Sequence, residues 1–331
     1  MRSKLVTSRE FRLDLSAIQD SAAAFFDVAQ PDARRIFHGR GQLYPGLEHI
    51  CIDWLAPLVL ISAFDEIEDS AAVLQVLRDA DTKGQIQSVM LQNRFVQGAP
   101  AQALFGEPLE QLIVTEDKLR FEVHPGLQQN CGLFMDTRLL RDWLLANSEG
   151  RNVLNLFAYT CSLSVAALAG GAKSVTNVDM SKTSIKWGEK NHDLNLQDLE
   201  KVKSIPHNLF KSWGKIKQLG RYDIVLIDPP MRQRGSFDAS KNYGAVIKKM
   251  KSLCKPNAQI IATINSPFLS SDYMQKLFEK HLPGAKYLGE IAVAGEFRDK
   301  YPERALNICH FEMAARQDEN LDQPHGDGAF S

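Results

Sequence analysis

The stretch that decides the fold is Val153-Leu154-Asn155-Leu156-Phe157-Ala158-Tyr159-Thr160-Cys161-Ser162. A short apolar run enters a tight turn and then a segment of small residues, Ser162–Ala169, closed by Gly170-Gly171. That pattern reads as a strand turning into a helix packed closely upon it, a nucleotide-binding βα unit. Asp179 follows Asn155 by 24 positions and ends a second apolar segment, Ser174–Asp179. An acidic residue ending the second strand of such a unit can accept hydrogen bonds from both hydroxyls of a ribose. The turn holds no glycine, whereas a pyrophosphate needs a Gly-x-Gly-x-x-Gly backbone to approach closely, which argues against a dinucleotide.

Outward from this unit the chain alternates. Val153–Phe157, Ser174–Asp179, Val202–Pro206, Ile224–Asp228 and Gln259–Ile264 read as strands. Ser162–Ala169, Lys182–Leu194, Leu209–Gln218, Tyr243–Cys254 and Ser271–Lys280 read as the helices between and after them. The alternation predicts an α/β fold with a mostly parallel sheet covered on both faces. Tyr287–Ala294 and Leu306–Met313 have no helix between them and predict an antiparallel hairpin at the sheet edge. The N-terminal part differs. Ile50–Trp54 and Leu58–Ala63 read as a strand pair turned at Pro57, Ser70–Ala80 as a helix, and Ser88–Asn93, Gln111–Thr115 and Leu119–His124 as short strands. Asp136–Asn147 reads as a connecting helix. The expected organisation is a smaller N-terminal α+β domain at 1–125, a nucleotide-binding domain at 126–316, and a tail at 317–331 too poor in apolar residues to fold.

Composition sets outer limits. Of 331 residues, 44% are hydrophobic and 24% charged, as in an ordinary globular protein. No apolar run reaches the roughly 18 residues that span a bilayer, and Met1-Arg2-Ser3-Lys4-Leu5 leads into charged sequence rather than a signal peptide. Cys51, Cys131, Cys161, Cys254 and Cys309 form no Cys-x-x-Cys pair. That usage fits a reducing cytoplasm and argues against a zinc site or disulfide scaffold. The histidines, among them His192, His207 and His310, show no metal spacing. Net charge is −1, so a nucleic acid would have to meet local basic patches. Arg34-Arg35-Ile36-Phe37-His38-Gly39-Arg40 interleaves basic and stacking residues; Lys241–Lys255 carries five lysines and no acid and reads more readily as a solvated face.

The chemistry follows from the strand ends. Ligands of open α/β sheets bind at the carboxyl ends of the strands, where the order reverses. The Asn155–Ser162 turn belongs there, with Asp179 on the ribose and Asn208, after the third strand, on an adenine edge. For Asp179 and Asn208 the competing reading is a helix cap. Asp228-Pro229-Pro230 ends the fourth strand. Prolines stiffen that backbone and leave carbonyls free of sheet pairing, so Asp228, Pro229 and Pro230 can accept hydrogen bonds from an amino or imino group and aim its lone pair. Such a loop is expected beside a methyl donor acting on a planar nitrogenous ring. The three elements in this order point to S-adenosylmethionine (AdoMet), with S-adenosylhomocysteine as product. Within Gly132–Arg138, Arg138 could pair with the AdoMet carboxylate through two parallel hydrogen bonds.

With those residues in view the chain resembles the class I AdoMet-dependent methyltransferases that modify bases of large-subunit ribosomal RNA. It looks most like the guanine-N7 methyltransferase half of the bifunctional 23S enzyme, and secondarily like the cytosine carbon-5 group. The resemblance runs from about Leu119 to Met313, through Gly132–Arg138, Asn155–Ser162, Val178-Asp179-Met180-Ser181, Asp228-Pro229-Pro230 and Phe297–Cys309. It implies a seven-stranded Rossmann-like sheet and a small preceding module that helps hold RNA. Carried over motif by motif, it implies cofactor contacts from Phe134, Asp136 and Arg138; from Asn155, Phe157, Ala158, Tyr159, Thr160 and Ser162; from Asp179, Met180 and Ser181; and from Asn208, Leu209 and Asp228. The target would be oriented by Asp228, Pro229, Pro230 and Asn265, with Arg232 and Arg298 as RNA contacts.

The departures are specific. Cys161 stands where the family has Gly, Asn208 where it has Asp, and Arg232 where it has an aromatic ring. The cytosine carbon-5 relatives need a cysteine after the fifth strand, where this chain reads Thr263-Ile264-Asn265-Ser266. Without a thiol there, covalent attack on a base carbon is excluded at that position, and direct in-line transfer to a nitrogen fits better. No PUA or THUMP module is visible, so RNA capture would rest on residues 1–125. The expectation is therefore a cytoplasmic, non-membrane rRNA base-nitrogen methyltransferase. The alternatives are a methyltransferase on a small molecule or protein, and a non-catalytic RNA-binding factor that keeps the fold.

Overall fold

The computed structural model describes residues 14–233, 237–266 and 272–315; the expected tail at 317–331, the first five residues and Ser271 lie outside them. The N-terminal elements run α1 (Ser16–Phe26), β1 (Arg34–His38), β2 (Ile50–Leu55), β3 (Leu58–Ala63), α2 (Ser70–Ala80), β4 (Ser88–Asn93) and β5 (Ala101–Phe105). The five strands form one sheet in the order β1-β2-β3-β4-β5. β2 and β3 are buried at every position, because both faces are covered. Ile18, Phe26, Val73 and Leu77 of the two helices pack with Trp54, Val59 and Ile61 on one side. Leu58, Leu60 and Met90 turn to the other side, into a cluster that continues through Val114 and Phe121 to Val153, Ile224 and Ile261.

A separate hairpin, β6 (Leu112–Glu116) and β7 (Leu119–Val123), leads to α3 (Arg138–Asn147). Then follow β8 (Asn152–Leu156), α4 (Ser162–Ala169), β9 (Ser174–Asp179), α5 (Lys182–Leu194), β10 (Val202–Pro206), α6 (Trp213–Gln218) and β11 (Tyr222–Ile227). The short pair β12 (Arg232–Gln233) and β13 (Phe237–Asp238), α7 (Ala239–Leu253), β14 (Cys254–Asn265), α8 (Tyr273–His281), β15 (Ala285–Ile291) and β16 (Leu306–Met313) complete the order. The main sheet is seven-stranded, β10-β9-β8-β11-β14-β16-β15, with β16 alone running against the other six strands. The α/β fold, the seven strands and the antiparallel edge hairpin are as the sequence predicts. β8 lies beside both β9 and β11, so strand order reverses between β8 and β11 and opens a crevice there.

Three N-terminal elements, α1, β1 and β5, are absent from the sequence reading. The expected helix Leu209–Gln218 is divided into a 3-10 turn at Leu209–Lys211 and α6. The helix expected from Tyr243 begins four residues earlier, because Asp238 accepts from the Ser240 N–H and caps it. Among the described residues no helix is long and apolar enough to cross a membrane.

Candidate active site at the strand ends

The carboxyl ends of β8, β9, β11 and β14 open into one cleft of about 710 Å³, within the roughly 300–1,000 Å³ usual for small-molecule sites. Its floor is the β8–α4 turn. Phe157, Tyr159 and Cys161 there all hold φ near +50 to +60° (61°, 47° and 63°), a left-handed conformation costing on the order of 1–3 kcal/mol each for a non-glycine residue. Such strain concentrates at ligand sites. The surroundings hold it in place: the Tyr159 N–H donates to Asp179 Oδ2 at 3.0 Å, and the Thr160 hydroxyl donates to the Gly132 carbonyl at 2.6 Å. Asn191 of α5 donates to the Thr160 carbonyl at 2.9 Å.

Asp179 thus sits under the turn. Its second oxygen accepts from the Ser181 N–H at 2.8 Å, while Ser181 itself caps α5 through the Ser184 N–H. Each carboxylate oxygen keeps a lone pair for a further donor. Asn155 is buried in the same floor; its amide donates to Asn177 at 3.0 Å and its own Oδ1 has no partner.

One wall is the Phe134–Thr137 segment. Gly132 enters it at φ 112°, where a Cβ would run into the Trp187 ring. Arg141, completely buried, pins the segment. It donates to the Phe134 carbonyl (3.0 Å) and Thr137 Oγ1 (2.8 Å) while forming a two-pronged pair with Glu116 at 2.5 and 2.6 Å. Asp136 follows, with one carboxylate oxygen buried and unpaired. Burial pushes its carboxyl up, against the pull of Arg35 and Arg141.

The opposite wall is Asp228-Pro229-Pro230 with Met231, Thr263 and Asn265. The Thr263 hydroxyl donates to Asp228 across the neighbouring strand ends. Burial pushes the Asp228 carboxyl up to about 6; the Thr263 hydrogen bond works against it and the nearby Asp136 charge with it. Beneath them the hydroxyl of the buried Tyr243 lies 3.1 Å from the Ile227 carbonyl and 2.9 Å from that of Thr263, tying the two strand ends.

Of the residues singled out in the sequence, Phe134, Asp136, Asn155, Phe157, Ala158, Tyr159, Ser162, Asp179, Ser181, Asp228, Pro229, Pro230 and Asn265 line this cleft together. The others stand elsewhere. Thr160 is buried behind the turn. Met180 is exposed and Leu209 is in the core. Asn208 caps the 3-10 turn through the Phe210 N–H. Arg138 pairs with Asp142 at 3.5 Å and approaches Glu296 at 3.9 Å. Arg232 is exposed on β12. Arg298 lines a second recess of about 410 Å³ with His38, Tyr44 and Glu296. In the Arg34–Arg40 stretch, Phe37 is core and Arg35 pairs with the partly shielded Asp53, so only Arg40 reaches the cleft. Sequence reasoning marked Arg40 only as one member of the Arg34–Arg40 basic patch and did not find Arg141, Tyr243 or Thr263; the last was visible only as the residue in place of a cysteine.

The lining suits AdoMet. Asp136, Asp179 and Asp228 face one guanidinium, Arg40, so the cleft carries an excess of negative charge for a ligand with a sulfonium, an ammonium and one carboxylate. The orphaned oxygens of Asp136 and Asn155 are buried acceptors without a donor, and Asp179 lines the same cleft.

Known proteins give the family and the fold. Residues 34–312 match the family described as S-adenosylmethionine-dependent methyltransferase. Ribosomal RNA large subunit methyltransferase K/L of Shewanella pealeana is 38% identical over 160 residues, 47% of this chain and 22% of that protein. The match therefore spans about a fifth of the relative's length. The crystal structure of SMU.776 complexed with SAH superposes with TM-score 0.78 at 24% identity, covering 94% of this chain and 83% of that one. M. jannaschii tRNA m1G37 methyltransferase superposes at 0.56 with 18% identity, covering 80% and 72%. At these identities the structural likeness shows the fold. The family match extends over most of the chain, and the chain belongs to the S-adenosylmethionine-dependent methyltransferase family.

Proposed function

We propose that this member of the family methylates a base nitrogen of large-subunit ribosomal RNA in the cytoplasm, guanine being favoured, by direct in-line transfer. The observation that carries the reading is the acceptor wall: Asp228, the Pro229-Pro230 backbone and Asn265 line the cleft opposite the strained turn, and no cysteine is among the lining residues. Bound AdoMet would supply a methyl group on a positively charged sulfur. The chain's own residues then have three tasks. Asp179 and the turn hold the nucleoside part. Asp228, ionised above about pH 6, accepts a hydrogen bond from the target's amino or imino N–H and so aims a nitrogen lone pair. The stiff proline backbone holds that alignment, and positioning is the main source of acceleration in an in-line displacement.

RNA as the substrate class is supported by the name of the Shewanella pealeana relative, which aligns with nearly half of this chain, and by that of the M. jannaschii structural neighbour. On this reading residues 1–125 form the module that holds RNA, residues 126–316 form the catalytic domain, and Arg232 and Arg298 lie on the path of the bound strand. The test is transfer of labelled methyl from AdoMet to deproteinised large-subunit rRNA and to intact subunits, with digestion and mass spectrometry to place the label. Label on a purine nitrogen is expected. Label on cytosine carbon 5, or turnover on a metabolite with none on RNA, would overturn the reading.

A further inference from the structure

Two guanidinium groups share one aromatic ring at the mouth of the cleft. The Arg40 guanidinium lies 4.1 Å from the Phe64 ring centre, and that of Arg94 lies 5.0 Å from the same centre. Arg40 follows β1, Phe64 follows β3 and Arg94 follows β4, so three connections of the N-terminal sheet converge on this point. Among the described residues neither arginine has a carboxylate within 4 Å. Two like charges on one ring, neither in an ion pair, are costly, the more so when partly shielded from water. At Arg94 burial lowers the basicity; the thiol of Cys131 and the charge of Asp53 work against it, and the charge of Arg40 works with it. The Arg94 Nε is also buried with no hydrogen-bond partner.

The pair is joined to the catalytic cleft. Arg40 itself lines it, and Arg94 donates to Asn130 Oδ1 at 3.2 Å. Asn130 lines the cleft in turn, and its carbonyl accepts from the Tyr159 hydroxyl at 3.3 Å. Beside Arg94, Phe95 and Val96 are 47% and 42% exposed. Unpaired guanidiniums next to an exposed ring are the elements from which single-stranded nucleic acid sites are made, and the planar fork of arginine matches a phosphate through two donors.

We propose that Arg40 and Arg94, braced by Phe64, clamp a phosphodiester of the RNA strand next to the target nucleotide and so deliver the base into the cleft. The proposal rests on the RNA reading above. It explains how a chain of net charge −1 grips a polyanion: the positive charge is local, has no carboxylate within 4 Å among the described residues, and stands beside the cleft that the base must enter.

The experiment measures binding of deproteinised large-subunit rRNA against salt concentration for the wild type, R40Q, R94Q and the double variant, with AdoMet binding by calorimetry on the same samples. Because the two arginines hold one phosphodiester, the double variant should lower the slope of log K against log salt by about 0.7–0.9, the loss of a single phosphate contact, and each single variant by part of that. AdoMet affinity of R94Q, whose residue lies outside the cleft lining, should stay within twofold, and R40K and R94K should restore the slope. A steep wild-type slope that the glutamine variants leave unchanged overturns the clamp and spares the RNA reading. A wild type whose binding is independent of salt overturns both. Loss of AdoMet affinity in R40Q with an unchanged slope assigns Arg40 to the cofactor and also overturns the clamp.

Discussion

The Sγ of Cys161 occupies the space that a side chain on Gly188 would need. A Cβ on Gly188 would overlap that sulfur and lie 2.8 Å from the Cys161 Cβ. Cys161 is buried, with φ 63°, and its side chain points away from the cleft into α5. The residue that departs from the usual glycine therefore leaves the cofactor space open; helix α5 makes the room instead. The larger side chain in the turn and the missing one on the helix are two halves of one packing arrangement.

This pairing predicts a rescue. G188A drives a methyl group into Cys161 and should cost about 1–3 kcal/mol, the usual range for overpacking, while displacing the turn enough to weaken AdoMet binding at least tenfold. C161G/G188A removes the two closest obstacles and relieves the positive-φ strain; the Thr160 carbonyl carbon at 3.2 Å is the next nearest atom. Thermal denaturation and calorimetry should show the double variant nearer to wild type than G188A. A double variant as damaged as the single would show that Cys161 and Gly188 are not coupled.

The same residues show what the sequence could carry. The bounds of α4, β9, α5, β10 and β16 follow from periodicity, caps and glycines lying within a few residues of each end. The missed elements had no such local signal. β5 is an edge strand with no buried position, so it has no alternation to read. α1 buries only Ile18, Ala22 and Phe26, a narrow stripe, and β1 looked like a basic patch because its arginines are matched by Asp53 and Glu296 from distant parts of the chain. In the site, motif residues next to a strand end were legible. Arg141 and Tyr243 were not, because each is placed by partners remote in sequence, Glu116 for Arg141 and the Ile227 and Thr263 carbonyls for Tyr243; Arg40 was visible as part of a basic patch, but not its place in the cleft. The direction in which the Cys161 side chain points was equally hidden, since it depends on a glycine 27 positions later.

Asp228 should set the acid limb of activity. With its carboxyl at about 6, the ionised form that accepts from the base is lost as pH falls through 6, so kcat/KM should drop about tenfold per unit below that point and stay level from 7 to 8. T263V removes the hydrogen bond that restrains the shift and should move the inflection to higher pH. Stability runs the other way. The usual value is 3.8, so between about pH 4 and 6 the folded state holds a proton the unfolded chain has released, and stability falls as pH rises through that window. D228N should therefore be more stable than wild type at pH 8 and equal to it near pH 3.5, with activity depressed throughout. Melting temperatures at the two pH values decide the matter; an equal difference at both would mean that Asp228 ionises normally.

Arg141 and Glu116 should behave as a pair. Both are almost entirely buried, so R141M leaves Glu116 uncompensated and should cost about 3–5 kcal/mol. R141M/E116L removes both charges and should recover much of that loss in chemical denaturation. The two variants should share a weakened AdoMet affinity, because neither holds the Phe134 carbonyl and Thr137. Full recovery of AdoMet affinity in the double variant would mean that the Phe134–Thr137 segment keeps its place without Arg141.

Tyr243 should separate alignment from binding. Its hydroxyl reaches the last carbonyl of β11 and the Thr263 carbonyl of β14, and Asp228 and Thr263 stand directly on those ends. Y243F keeps the ring packing in the core and removes only the tie, at about 1–3 kcal/mol for carbonyls left short of a donor. On the proposed reading Asp179 and the β8–α4 turn hold the nucleoside, and Tyr243 makes no hydrogen bond to either. AdoMet affinity should thus be preserved while kcat falls at least tenfold, because the Asp228-Pro229-Pro230 loop is no longer fixed relative to Thr263. Isothermal titration beside single-turnover methyl transfer measures both. A variant with normal turnover and normal affinity would show that the loop is aligned by its prolines alone.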